Sequence, residues 1–278
     1  MAYPTVSAPY GLKPVNLIGG QVFAGSTRNF PIPYNYSTAI YYGDVVAIAR
    51  GFVAPFAGTT TMNSQIITGV FLGCYYTNPT TKQRQYAQYY PGSVLAGDIT
   101  AIVADDPDTV FQAAVCPASS TTVTSGSYAL VGQNAPLVQN SGSANTGNSA
   151  VAVQSQASVG GNSAYPVRVV GVVPDTAVAL GTAVYSSIST ATITTTANVA
   201  FAVPVGTDVA WLAPNGSLVE TGSFVATAIT ANNTTSVVLN AAPQQTIGSS
   251  ATLVFTQYPE VLVKINFGNH QYYYGTAV

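Results

Sequence analysis

Glutamate, lysine, arginine and methionine are nearly absent from this chain, whose 278 residues hold 7 Lys and Arg together and 2 Met. Those side chains extend helices at little cost, so their scarcity constrains the fold more than any single motif does. In their place stand short apolar runs rich in valine, isoleucine, threonine and tyrosine. Each run is bounded by Gly, Pro, Asn or Asp, the pattern of strands joined by turns. The expected class is mainly β with almost no helix: a β-barrel or sandwich-like body, an inserted smaller β module and long loops.

Residues 66–111 carry the pattern most densely. Apolar runs at 69–76 and 99–104 read as strands, and between them lies Tyr86-Ala87-Gln88-Tyr89-Tyr90-Pro91. Tyrosines this close together cannot all be buried with satisfied hydroxyls, so some of them face a partner. No nucleophile with its base, metal-ligand cluster or phosphate-binding glycine loop accompanies them. That profile suits a binding or structural protein better than an enzyme, and it implies no cofactor.

From the N-terminus, Pro4, Pro9 and Pro14 exclude regular helix and leave an extended arm. Short strands are expected within 15–18 and 21–30, and Gly43-Asp44 reads as a turn into a strand at 45–49. Residues 117–164 are dominated by Ser, Thr, Asn, Gly and Gln with short apolar islands, which suggests long surface loops and brief strands. Strand character returns at 165–173 and at 261–267, where Val261, Val263, Ile265 and Phe267 share one face and Leu262, Lys264 and Asn266 the other. Between these lies a Thr-, Val- and Ala-rich segment with turn signals at Pro214-Asn215-Gly216 and Asn232-Asn233. The expected organisation is a main body over 1–185, an inserted small β domain over 186–256, and a return strand with a C-terminal tail over 257–278.

Only 6% of residues are charged, against about 25% in ordinary soluble domains. A surface so weakly charged protects a free monomer poorly against association, which favours a subunit held in an assembly. A net charge of −2 offers no basic field for nucleic acid. No apolar run reaches the ~20 residues needed to cross a bilayer, and the first residues lack the basic and apolar regions of an export signal. Cys74 and Cys116 sit in or beside apolar segments without metal-site or framework spacing, so both are expected to be buried free thiols.

Several short motifs together carry a family resemblance. They are Tyr10-Gly11-Leu12-Lys13-Pro14-Val15, Ala39-Ile40-Tyr41-Tyr42-Gly43-Asp44-Val45-Val46, Gly69-Val70-Phe71-Leu72-Gly73, Tyr89-Tyr90-Pro91-Gly92-Ser93, Val103-Ala104-Asp105-Asp106-Pro107 and Val261-Leu262-Val263-Lys264-Ile265-Asn266. In this order they resemble a family of tailed-bacteriophage virion proteins, small β-rich proteins encoded near the major capsid protein. The resemblance covers residues 10–185 and 257–278. It implies a capsid cement or decoration protein on the virion surface, assembled in the host cytoplasm. The implied partners are the major capsid protein and further copies of the chain, as a homotrimer. The family pattern passes quickly from the strand resembling 167–173 to the VLVKIN strand and a His-Gln-Tyr ending, here His270-Gln271-Tyr272. This chain places about 70 residues between them.

Candidate contact residues for the capsid or a neighbouring subunit are Tyr10, Tyr86, Tyr89, Tyr90, His270, Tyr272, Tyr273 and Tyr274. Both termini are expected to serve in contacts between chains and to be ordered only in the assembly. Asp98, Asp105, Asp106 and Asp108 have the oxygen chemistry of a Ca²⁺ site but read as turn and capping residues, because no EF-hand spacing follows. The alternative function is a carbohydrate-binding or adhesin module of a tail fibre or cell surface, in which tyrosines stack on sugars. A polysaccharide-degrading enzyme needs a paired acid and base, and Glu220 and Glu260 are the only glutamates.

Overall fold

A computed structural model describes residues 6–58, 66–155, 162–266, 268 and 270–272. The chain is mainly β. Its first strands are β1 (Lys13–Leu17), β2 (Arg28–Pro31), β3 (Val45–Ala49), β4 (Phe52–Pro55), β5 (Ile67–Thr77), β6 (Arg84–Ala87), β7 (Thr100–Ala104) and β8 (Thr109–Cys116). Four more follow: β9 (Asn134–Ala135), β10 (Leu137–Val138), β11 (Ala152–Gln154) and β12 (Val167–Val172). Next come β13 (Val178–Ser189), β14 (Thr192–Thr195), β15 (Asp208–Leu212), β16 (Leu218–Phe224), β17 (Ser236–Val238) and β18 (Thr252–Gln257), and β19 (Glu260–Ile265) completes the order.

One sheet of the body runs β10-β11-β8-β19-β12-β9, with β1 added on β8. Its two ends, β9 and β10, are separated in the chain by Pro136 alone, so the sheet nearly closes into a barrel. Proline has no N–H to orphan, and a strand can change partners there without losing a donor. The Pro136 carbonyl still accepts from Gln154 N at 3.0 Å. Phe111, Ala113 and Val115 of β8, Val261, Val263 and Ile265 of β19, Val167 and Val169 of β12, and Val153 and Leu137 fill the interior. The alternation expected at 261–267 is present over 261–265, where Leu262 and Lys264 are the half-exposed members of β19; Asn266, expected on their face, is buried and donates to Tyr165 O at 3.2 Å, and Phe267 lies outside the described residues.

A second sheet, β2-β7-β5-β3-β4 with β6 on β5, packs against the first. Strand β5 is covered on both faces, which explains its nearly unbroken apolar run. Ile67 and Val70 join the barrel core, while Phe71, Cys74 and Tyr76 pack with Ile32, Ile40 and Tyr90 on the other side. The turn expected before β3 is real. Gly43 has φ 92°, and Asp44 Oδ2 accepts from Tyr41 N at 2.7 Å.

Gly69 is required for close approach between strands: a Cβ there would lie 2.1 Å from the Ala104 carbonyl oxygen. Gly69→Ala therefore has to push β5 away from the end of β7, and we expect it to cost about 1–3 kcal/mol of stability. An unchanged thermal midpoint would show that the strands give way freely.

The third sheet, β16-β15-β18-β13-β14-β17, belongs to the inserted module. Trp211, Phe255, Leu253, Val209 and Ile193 form the centre of its own core. The expected boundary at 185/186 falls inside β13, whose first residues pair with β18 from Val178↔Gln257 onward. The module therefore spans 178–257. A strand-length apolar stretch does not reveal from sequence which sheet it joins, and 178–185 reads equally well as the end of the body. Just outside the module, β12 and β19 pair directly at Val172↔Val261.

Candidate interaction surface

The tyrosines singled out by sequence separate into anchors and exposed rings. Tyr90 is completely buried: its hydroxyl donates to the Tyr36 carbonyl at 2.8 Å and accepts from Val94 N at 3.3 Å. Tyr89 is half-buried and stacks on Tyr41 with ring centroids 5.5 Å apart. Tyr86 is 69% exposed. The crowding expected at 86–91 is thus resolved, with one ring in the core, one in a stack and one outside.

The termini engage the chain's own body. Pro9, Gly11 and Leu12 are buried, Leu12 N donates to Gly43 O at 2.9 Å and Gly11 N to Val151 O at 3.1 Å. The half-buried Tyr10 donates its hydroxyl to Glu260 Oε1, a carboxylate only 4% exposed. Burial, then the Glu260 bond, raises the Tyr10 pKa well above its ordinary value. Met1 to Thr5 lie outside the described residues.

At the other end, Gln271 N donates to Ile67 O at 2.9 Å, and Thr68 Oγ1 donates to Gln271 Oε1 at 3.0 Å. Tyr272 donates its hydroxyl to Asp105 Oδ2. The same carboxylate meets Arg28 Nε at 3.1 Å, and the Arg28 guanidinium lies 5.2 Å from the Tyr272 ring centroid. His270 is 1% exposed, and burial pushes its pKa down.

The expectation that these segments order only in an assembly is therefore corrected for 6–14 and 270–272. Buried carboxylates at Glu260 and Asp105 need donors, and the terminal tyrosines supply them. Tyr90, His270 and most of Tyr10 are internal, so a partner has no access to the first two side chains. Tyr273 and Tyr274 lie outside the described residues.

The exposed aromatic patch is built by the hairpin of β5 and β6. Tyr75 and Tyr86 face each other across the ladder, with centroids 5.5 Å apart. The Arg84 guanidinium covers Tyr75 at 4.1 Å and lies 5.6 Å from the Tyr86 centroid. Strand β6 pairs only with β5 among the described residues, so this patch borders a free sheet edge. Sequence reasoning finds Tyr86 but misses Tyr75 and Arg84. Polar flanks conceal the strand at 84–87, and only the Arg-x-Tyr alternation hints at a shared face.

The four aspartates have structural partners. Asp98 accepts from Thr77 N at 3.0 and 3.1 Å and from Thr77 Oγ1 at 2.6 Å, and these bonds hold its carboxyl below the usual range. Asp106 Oδ1 accepts from Asp108 N at 2.9 Å, and Asp108 pairs with Lys264 at 2.7 Å. Among the described residues, no three His, Cys, Asp or Glu side chains form a metal-binding group.

Both cysteines are free and buried. Burial pushes the Cys74 thiol up to about 12 and that of Cys116 to about 11. We expect neither to react with a thiol reagent under native conditions until the chain opens, because the thiolate is the nucleophile. Labelling of both within seconds, as fast as in denaturant, would contradict this.

Compared with known proteins, the chain matches no family model and no curated protein.

Proposed function

We propose that this chain is a non-enzymatic structural protein of a phage virion, which binds the outside of an assembled capsid and bridges neighbouring major capsid subunits. The observation that carries the reading is where the family-like motifs lie. Those at 45–46, 69–73, 103–104 and 261–265 contribute strands β3, β5, β7 and β19 of the two packed body sheets. The segment with no counterpart in the resemblance has its own sheet and its own core. In this reading the body docks on the shell and the module projects outward.

A subunit that spans two capsomers has affinity only for the assembled shell, and so stabilises it by mass action. A homotrimer about a three-fold axis fits such bridging. The Tyr75–Arg84–Tyr86 patch and the neighbouring sheet edge are the proposed contact, because tyrosine and arginine supply much of the energy at protein interfaces.

A density map of the particle that carries this chain tests the proposal: many copies in icosahedral register support it. A few copies at the tail would favour a carbohydrate-binding adhesin, a reading that the exposed Tyr86 ring beside the half-buried Tyr75 also suits. With 6% charged residues, retention on shells should barely change between about 0.05 and about 0.5 M salt. Release within that range would assign the contact to ion pairs and not to buried area.

A further inference from the structure

We propose that the pocket between the module and the body is a receptor for one lysine ε-ammonium group of a partner protein. The pocket has a volume of about 250 Å³ and is lined by Tyr128, Tyr258, Asp208, Thr221, Gly222 and Thr256 among others. It is smaller than sites for drug-sized ligands, which begin at roughly 300 Å³, and it suits a single aliphatic chain with a charged end.

Two aromatic rings and one carboxylate define its chemistry. Tyr128 and Tyr258 meet edge to face with centroids 5.2 Å apart, and Tyr128 is 52% exposed. Asp208 Oδ2 accepts from Tyr128 N at 3.1 Å. Among the described residues no basic group pairs with this carboxylate, since the ion pairs are Arg28–Asp105 and Lys264–Asp108. A half-buried carboxylate without a counter-ion is costly, and a cation held beside aromatic rings relieves that cost twice, by ion pairing and by the ring quadrupoles.

The lining also selects the kind of cation. One Asp208 oxygen already accepts a backbone bond, which occupies part of the two-oxygen face that a guanidinium fork prefers. An ammonium needs only one carboxylate oxygen, and Thr221 and Thr256, whose side chains carry acceptor hydroxyls, are among the residues that line the same pocket.

Burial raises the Asp208 pKa to about 7, against one lowering bond from Tyr128 N. The other ionisable groups beside it are the phenols of Tyr128 and Tyr258, and that of Tyr258 is raised to about 12 by burial and by Tyr128 and Asp208. On the flanking strands, Glu220 of β16 turns to Gln244 N and Gln245 N, and Glu260 of β19 accepts from Tyr10. Asp208 therefore controls the charge of the pocket. It ionises as pH rises through neutrality, so binding of a cation strengthens in the same direction. The inference stands on these groups alone and holds whether or not the body binds a capsid.

The test is an NMR titration of the full chain with Nα-acetyl-lysine-N-methylamide, with the arginine analogue and methyl glucoside as comparisons. The lysine probe should perturb Tyr128, Tyr258 and Asp208 resonances and lower the Asp208 titration midpoint. Affinity should fall by roughly thirtyfold between about pH 8 and about pH 5.5, following the ionised fraction. Asp208→Asn should abolish binding while leaving the Trp211 indole resonance in place. If that variant does not fold, the shift of the Asp208 midpoint in the unaltered chain decides. The proposal is overturned if the lysine probe leaves that midpoint unmoved, if Asp208→Asn binds equally well, or if the arginine analogue or the glucoside binds as tightly as lysine.

Discussion

Phe111→Ala should remove about 3–5 kcal/mol from the stability of the body, the largest effect expected of any single substitution there. Phe111 is completely buried and sits on β8, opposite Val263 of β19 and Pro14 of β1. Truncation to alanine leaves a void between three strands that are locked by their ladders and cannot collapse into it. Since whole domains are stable by about 5–15 kcal/mol, the body should unfold at much lower denaturant with an unchanged slope. The single tryptophan, Trp211, is buried in the module core, so its fluorescence should keep its own midpoint. Phe52→Ala, at a side chain 41% exposed, is the control and should change little. Equal losses from the two substitutions would mean that Phe111 is not at the centre of the body.

The second large effect is a deletion that should do little harm to what remains. Val178 and Gln257 are cross-strand partners, so the chain leaves and re-enters the body at one place. Replacing 178–257 by a short glycine-rich linker should leave a body that unfolds cooperatively, and should abolish the tryptophan signal. The deletion removes the hydrogen bonds from Tyr128 N to Asp208 Oδ2 and from Ser125 Oγ to Gly206 O at 3.4 Å, together with one wall of the pocket. An insoluble product, or one that melts without cooperativity, would show that body and module fold as one unit.

What could be read from the residues alone was whatever depends on neighbours in sequence. The alternation of β19, the Gly43-Asp44 turn and the buried thiols follow from patterns a few residues long. The anchoring of the termini does not, because Tyr10 and Glu260 are 250 positions apart and Tyr272 and Asp105 are 167 apart. A tyrosine beside a proline-rich arm has the same local character whether it meets a partner or a buried glutamate in its own chain. The Asp208 pocket was hidden for the same reason: its parts come from positions near 128, 208, 221 and 258. Local composition also misplaced the module boundary, since β13 crosses it without any break in its β-forming residues.

The position of β19 in the barrel-like sheet has a kinetic consequence. This strand lies between β8 and β12, yet it is the last of the described strands to leave the ribosome. Until residues 260–265 have emerged, β8 and β12 have no strand between them, and the apolar faces of both stay open to water. The module, whose sheet pairs strands only within 178–257, is complete before that moment. The natural order of folding is therefore module first and body last, with the slow step a long-range pairing that waits for β19. Chains that end at Pro259 and have been released from the ribosome should accordingly bind chaperones through the body while already showing the blue-shifted fluorescence of a buried Trp211.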